Sequence, residues 1–136
     1  SRTLTLCERY FDGKLSSQKE DGLFDNLNLD KIRVYMDKYE LHHALDEIWK
    51  LIRASNKYVN DKEPWKNEEG REVVLYNLLE TIRAISILIS PFIPETSDKI
   101  NSQLRIEFQI QMNHHQFYHL PTKQHYFLPN LEFQEL

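Results

Sequence analysis

Residues 73–89 read VVLYNLLETIRAISILI, and apolar side chains in this run fall on most faces of a helix. A helix that is apolar nearly all round is typical of the centre of a bundle, where neighbouring helices surround it. The run ends at the segment SPFIP, residues 90–94, because proline lacks the backbone N–H and clashes with the preceding helical turn. Pro94 suits the first position of a following helix, which we expect to end at about Leu104.

Working back from the central run, the sequence predicts three earlier helices. Residues 3–11 have the pattern of a helix that stops at Asp12-Gly13, and the polar residues 14–26 predict a loop. Asn28 or Asp30 can cap a second helix, since a short side-chain oxygen accepts hydrogen bonds from the free N–H groups of a first turn. Its apolar stripe consists of Leu29, Ile32, Tyr35, Met36 and Tyr39.

A third helix is predicted over about residues 41–60, without glycine or proline to interrupt it. Trp49 lies next to an apolar position of this helix and is expected in the core. The predicted buried stripe is Leu41, Leu45, Ile48, Ile52, Ser55 and Val59.

Composition agrees with an all-α fold, a bundle of about five helices. The chain of 136 residues is 40% hydrophobic and 28% charged, and its three glycines and five prolines are few for an all-β protein. After Leu104 the helical pattern fades, although alternating apolar residues over 106–112 indicate a short strand. We therefore expect a helical bundle over residues 1–104 and an irregular C-terminal tail with anchoring aromatic side chains over residues 105–136.

Several classes of protein and site are not expected. The apolar runs are too short to span a bilayer and no secretory signal is visible, so we expect a cytoplasmic protein that does not bind membranes. Cys7 cannot form an internal disulfide, and as a nucleophile it would lack an evident base. No frame of cysteine or carboxylate ligands accompanies the histidines, so neither a metal site nor a catalytic centre is predicted. These histidines are His114, His115, His119 and His125, with His42 and His43 elsewhere.

A local basic segment contrasts with the net charge of −4 for the whole chain. From Trp49 to Lys66 there are five basic residues and two acidic ones. Such a segment is either a solvated helix face or a surface that attracts phosphates. The basic residues are Lys50, Arg53, Lys57, Lys62 and Lys66.

Trp65 follows Pro64 in a charged loop that contains no other hydrophobic residue between Asn60 and Glu72. The indole either anchors the loop on the core or offers a flat platform for a planar ligand, such as an unpaired base of single-stranded RNA. Asn56 lies one turn beyond Ile52, close to the predicted buried stripe. Its amide is expected to bond to another helix or, as the alternative, to contact a ligand directly.

The segment Asn56-x-Tyr58 followed by Pro64-Trp65 resembles the anticodon-binding signature of the methionyl-tRNA synthetase family. The surrounding ALDEI at 44–48, SPFIPET at 90–96 and YFDG at 10–13 are also similar to that family, as is LPNLE at 128–132. The resemblance extends over nearly the whole chain. It implies a class Ia helical bundle that reads the CAU anticodon of methionine tRNAs.

The resemblance also implies which residues would contact RNA. In such enzymes the tryptophan at the place of Trp65 stacks on an unstacked anticodon base, and an arginine at the start of the first bundle helix bonds to anticodon bases. Only Ser1-Arg2 remains of the motif that carries this arginine, so Arg2 is the candidate. Pro64 and Asn56 complete the implied anticodon site, and the basic residues named above would attract the tRNA backbone. The position that is acidic in the family is Asn60 here.

The resemblance implies that the chain is a fragment of a larger enzyme that attaches methionine to its tRNA using ATP. ATP with magnesium, and zinc, would bind to other parts of that enzyme, so we expect no cofactor and no activity in this fragment alone. The tail, which includes the segment at 128–132, would pack on the bundle or toward the catalytic domain of the same chain. Two alternatives remain: the anticodon-binding bundle of another class Ia synthetase, and a helical protein-interaction domain.

Overall fold

The computed structural model describes residues 2–104 and 126–127, and within them the chain forms five α-helices. The helices are α1 (Arg2–Phe11), α2 (Leu29–Asp37), α3 (Leu41–Lys62), α4 (Arg71–Ile89) and α5 (Pro94–Leu104). A short 3₁₀ helix covers Leu23–Asn26, and two short strands are β1 (Lys14–Leu15) and β2 (Tyr126–Phe127). Among these residues, no helix has the length and apolar character needed to cross a bilayer.

Helix α4 lies at the centre of the bundle, as its apolar sequence predicts. It contacts α1, α3 and α5, and most of its residues are buried. Leu75, Leu79 and Leu88 have no exposed surface. Burial of a leucine side chain contributes about 1.5–3 kcal/mol, so this helix supplies much of the hydrophobic free energy of the bundle.

The helix ends follow the local signals in the sequence. The Asn28 side chain caps α2 by accepting a 3.0 Å hydrogen bond from the backbone N–H of Lys31. Helix α1 stops at Asp12 and Gly13, which have φ angles of 52° and 72°, values that glycine adopts without strain. Pro94 opens α5 as expected.

The segment over 14–26 and the C-terminal tail contain more structure than the sequence predicts. Residues 14–26 include β1 and the 3₁₀ helix, although their polarity predicts only a loop. Strand β1 pairs antiparallel with β2, with Lys14 opposite Phe127 and Leu15 opposite Tyr126, so part of the tail is regular. The sequence does not predict these strands because two residues are too few to show an alternation of polar and apolar side chains. The strand expected over 106–112 and the segment 128–132 lie outside the described residues.

Three large side chains expected to be buried are instead exposed. Tyr39 lies beyond the end of α2 and is 88% exposed, and Leu41 at the start of α3 is 47% exposed. Trp49 is 49% exposed, which corrects its expected place in the core. Its neighbour Ile48 is buried, and consecutive residues of a helix are about 100° apart. The buried face of α3 is formed by Ala44, Glu47, Ile48 and Leu51.

Candidate nucleic-acid interface

Trp65 lies in a tight turn that begins where α3 ends. Glu63 closes the helix in the left-handed conformation, with φ at 44°, and Pro64 follows it. The Glu63 carbonyl accepts hydrogen bonds from the backbone N–H groups of Lys66 and Asn67, at 2.9 and 3.0 Å. The turn therefore holds the tryptophan by backbone hydrogen bonds on both sides of its position.

The indole of Trp65 is half-buried and packs against the hydrophobic core of the bundle. The guanidinium of Arg2 lies over the ring, 5.2 Å from its centroid, within the range of a cation–π interaction. The side chain thus combines the two arrangements that the sequence left open, since one part packs on the core and another remains accessible. The structure also brings Arg2 and Trp65 together across the bundle end.

Two further residues hold the Trp65 turn, and neither is in the set of site residues chosen from sequence. Tyr10 of α1 donates a 3.4 Å hydrogen bond from its hydroxyl to the Trp65 carbonyl. Arg71, the first residue of α4, donates a 2.7 Å hydrogen bond from Nε to the carbonyl of buried Pro64. The Arg71 guanidinium also lies 3.7 Å from the centroid of the Tyr10 ring. Arg2, Tyr10, Pro64, Trp65 and Arg71 therefore form one contiguous group, the Trp65 cluster.

Two open cavities of 490 and 460 Å³ adjoin this cluster, and Arg71 lines both. The larger cavity has Pro64 and Lys62 in its wall, whereas the smaller has Tyr10. Basic and acidic side chains are mixed around the larger one, which includes Asp21 and Lys19. The concave surface beside the Trp65 cluster is therefore open to solvent and carries charges of both signs.

Tyr58 and Asn77 attach the loop before α2 to the bundle. The Tyr58 hydroxyl donates a 2.7 Å hydrogen bond to a carboxylate oxygen of Asp21, and burial is the main cause that raises the pKa of this phenol above its usual range. Buried Asn77 accepts from the Asp21 backbone N–H at 3.2 Å and donates to the Lys19 carbonyl at 2.9 Å. Tyr58, part of the signature segment, thus supports a loop in this structure.

Four of the five basic residues expected to attract phosphates are already paired with carboxylates. Lys62 lies 3.6 Å from Asp21, and Lys66 lies 2.9 Å from Glu63. Lys57 pairs with Asp61, one turn further along α3. These three pairs are largely exposed, and such pairs contribute about 0–1 kcal/mol, so a phosphate can replace the carboxylate at small cost.

Lys50 differs from the other lysines because its partner is buried. Its ammonium lies 2.7 Å from Glu47, whose side chain is only 7% exposed. This lysine compensates a carboxylate inside the protein and has less freedom to meet a phosphate. Arg53 is exposed on the same helix.

Asn56 is exposed on α3, so the expectation of a partly buried amide is wrong. Ser55, its neighbour, instead bonds back to the Leu51 carbonyl at 2.7 Å. Asn56 is exposed because the buried face of α3, formed by Ala44, Glu47, Ile48 and Leu51, is rotated away from the stripe that the spacing suggested. The residue remains a candidate only for direct contact with a ligand.

Cys7 is fully buried, and this burial raises the pKa of its thiol to about 12. At neutral pH the thiolate that a nucleophile needs is therefore not formed. His114, His115, His119 and His125 lie outside the described residues. Within the described part, no group of three histidine, cysteine, aspartate or glutamate side chains is arranged to hold a metal ion.

Comparison with protein families matches residues 26–133 to the model of the anticodon-binding domain of tRNA ligase. The methionine–tRNA ligase of Clostridium tetani is 42% identical to the chain over 120 residues, which are 79% of this chain and 19% of that protein. The corresponding ligase of Caldanaerobacter subterraneus subsp. tengcongensis is 48% identical over 119 residues, 78% of this chain and again 19% of the ligase. The chain thus spans about a fifth of the length of these relatives.

Among solved structures, the chain is similar to the apo form of Mycobacterium tuberculosis methionyl-tRNA synthetase. The two share 29% sequence identity with a TM-score of 0.68, covering 76% of this chain and 24% of the other. The same enzyme bound by methionyl-adenylate superposes with a TM-score of 0.78 over 97% of this chain and 29% of the other, at 24% identity. The latter likeness concerns the fold alone.

Proposed function

Because this chain belongs to the family of anticodon-binding domains of tRNA ligases, we propose that it recognises the CAU anticodon of methionine tRNAs. The relatives at 42% and 48% identity are methionine–tRNA ligases, which favours methionine over another class Ia synthetase and over a protein-interaction domain. The longer protein would be a cytoplasmic ligase that joins methionine to its tRNA at the expense of ATP. Its catalytic domain would be a second partner of this chain.

ATP, magnesium and zinc would be bound by other parts of that ligase. Gly13, Gly22 and Gly70 are isolated along the sequence, so no glycine-rich phosphate loop is available here. The described residues offer no cluster of metal ligands either. In this proposal the chain's own contribution is to bind and orient tRNA.

The observation that carries this function is the Arg2 guanidinium over the half-buried Trp65 ring, at 5.2 Å. A planar guanidinium covers the indole in the free chain, and a nucleobase is a planar group of similar thickness. We propose that an unpaired anticodon base replaces the guanidinium on the indole, while Arg2 turns its N–H groups toward acceptor atoms on the base edge. Pro64 limits the backbone of the turn, so the indole keeps its orientation when the base arrives.

Positive side chains near the turn add a contribution that does not read sequence. Lys57, Lys62 and Lys66 would exchange their carboxylate partners for phosphates, and Arg53 would join them. Lys50 would contribute least because Glu47 needs its charge. Asn56, exposed on the same helix as Arg53, would contact the anticodon loop directly.

Substitution of Trp65 by alanine in the full-length ligase tests the proposal. Stacking on an aromatic side chain contributes about 1–3 kcal/mol per base, so Trp65→Ala is expected to raise the KM for methionine tRNA by about 5- to 150-fold. The rate of methionine activation by ATP without tRNA should stay unchanged, because that step belongs to the catalytic domain.

Trp49→Ala is the matched control, since it removes the other tryptophan, on α3, which is 49% exposed. It should leave the KM for tRNA unchanged. A methionine tRNA with a scrambled anticodon should bind wild type and Trp65→Ala equally weakly. An unchanged KM for the cognate tRNA in Trp65→Ala would refute anticodon recognition by this residue.

A further inference from the structure

Arg71 occupies a place where a basic residue is unfavourable. It is the first residue of α4, and the N-terminus of a helix carries a partial positive charge that disfavours cations. The preceding Gly70 is left-handed, with φ at 72°, and no side chain caps the helix there. Helix formation therefore does not account for an arginine at this position, and its contacts must supply the reason.

The contacts of Arg71 connect three parts of the bundle end. From α4, its Nε donates to the Pro64 carbonyl at 2.7 Å, which fixes the residue immediately before the tryptophan. Its guanidinium plane meets the Tyr10 ring of α1 at 3.7 Å. The hydroxyl of that tyrosine in turn donates to the Trp65 carbonyl at 3.4 Å. The backbone on both sides of the Pro64–Trp65 peptide bond is thus held, directly or through Tyr10, by one arginine.

We infer that Arg71 is a positioning residue for anticodon recognition: by bonding to the Pro64 carbonyl and stacking on Tyr10, it sets the orientation of the Trp65 indole beneath Arg2. The inference rests on the proposed function, since positioning matters only if Trp65 meets a base. Arg71 acts through the turn and not by contact with tRNA phosphates. Its hydrogen bond is charge-assisted and directed, so the position of the indole depends on the guanidinium shape as well as on its charge.

Substitution by lysine separates this positioning from a phosphate contact. Arg71→Lys keeps the positive charge and the long stem, but it loses the Nε donor and the planar group that stacks on Tyr10. In the full-length ligase we expect the KM for methionine tRNA to rise about tenfold, which is the size of effect expected when one charge-assisted hydrogen bond is lost. The variant should remain folded at the assay temperature, and its rate of methionine activation without tRNA should remain at the wild-type value. A KM equal to that of wild type would overturn the inference.

A double-mutant cycle with Trp65→Ala shows whether Arg71 acts through the indole. Once the ring is absent, its orientation no longer matters, so adding Arg71→Lys should change the KM by less than about twofold. If the rise in KM of the double variant equals the product of the rises in the two single variants, Arg71 contacts the tRNA itself and the inference is overturned. The control is Arg33→Lys, the same change at an exposed arginine on α2, which should leave the KM unaltered.

Failure of the inference and failure of the proposed function give different results. If Trp65→Ala alone leaves the KM unchanged, the proposed function is wrong and the inference is overturned with it. If Trp65→Ala raises the KM but Arg71→Lys does not, only the positioning role is lost. Arg71→Ala adds a further check: its rise in KM should be at least as large as that of Arg71→Lys, and a smaller rise would contradict the inference.

Discussion

At the scale of single residues, the basic side chains around the Trp65 turn differ in the groups that they already contact. Arg2 and Arg71 lie over the aromatic rings of Trp65 and Tyr10, whereas the lysines of α3 pair with carboxylates. Arginine suits the first arrangement because its guanidinium is planar and weakly hydrated. We therefore expect the two arginines and the lysines to contribute differently to the proposed RNA binding, although a count of charges treats them alike.

Lys50→Ala is expected to destabilise the chain, because it leaves the carboxylate of Glu47 buried without its ammonium partner. The expected loss is about 1–3 kcal/mol in the free energy of unfolding, measured by urea denaturation. Lys66→Ala is the matched control, since it breaks a pair of the same i,i+3 spacing whose carboxylate side chain is 38% exposed. That change should cost at most about 1 kcal/mol. Equal losses in the two variants would contradict the distinction between the pairs.

At the scale of elements, the ends of the helices determine where the Trp65 turn lies. Helix α3 stops because Glu63 adopts the left-handed conformation and Pro64 cannot continue the helix. The Asn67 side chain satisfies the free Lys62 carbonyl at 2.8 Å. Helices α4 and α5 are joined by buried hydrogen bonds, in which Ser97 Oγ donates to the Ser86 carbonyl at 2.8 Å. Hydrogen bonds thus fix the end of α3 and, separately, the packing of α4 against α5.

Tyr39 offers a test of the connection between α2 and α3. Its φ is 58°, a left-handed conformation in which glycine is favoured, and its side chain is 88% exposed. Tyr39→Gly should therefore stabilise the chain by about 1 kcal/mol, because it relieves backbone strain without loss of burial. The control is Tyr35→Gly, which lies inside α2 and should be destabilising. A loss of stability in Tyr39→Gly, measured by thermal unfolding, would show that the tyrosine has a stabilising contact.

At the scale of the whole molecule, stability should depend on pH through groups buried in the core. Burial raises the pKa of the Cys7 thiol from 9.0 to about 12. Above pH 9 the unfolded chain loses this proton while the folded chain keeps it, so the free energy of unfolding falls as pH rises. The slope is about 1.4 kcal/mol per pH unit for one proton. The raised pKa of Tyr58 acts in the same direction at higher pH.

Urea denaturation between pH 8 and 10 measures this effect. Cys7→Ala removes the thiol, so its free energy of unfolding should fall less steeply over that interval than that of the wild type. The mutant will be less stable at pH 8, because the buried sulfur contributes to packing. Parallel curves for the two proteins would show that the thiol does not remain protonated in the folded state.

Helices and their ends were predictable because the interactions responsible are local. The Asn28 side chain caps the first turn of α2, three residues along the chain, and Pro94 begins α5. The apolar run over 73–89 predicts a central helix from its own composition. The isolation of Trp65 in a charged loop also made this residue a candidate for the site from the sequence alone. Each of these features depends only on residues within about one or two helical turns along the chain.

Contacts across the bundle could not be predicted, because they depend on how the helices pack. Tyr10 and Trp65 are 55 positions apart, and no periodicity connects them or places Arg71 between them. Trp49 lies next to the buried position of Ile48, and only the packing of α3 against its neighbours decides that its side chain is exposed. Side-chain period specifies that a helix has a buried face, whereas the shape of its neighbours decides which residues lie there. The sequence therefore identifies Trp65 as a candidate, whereas the contacts of Arg71 and Tyr10 that hold its turn form only when the helices pack together.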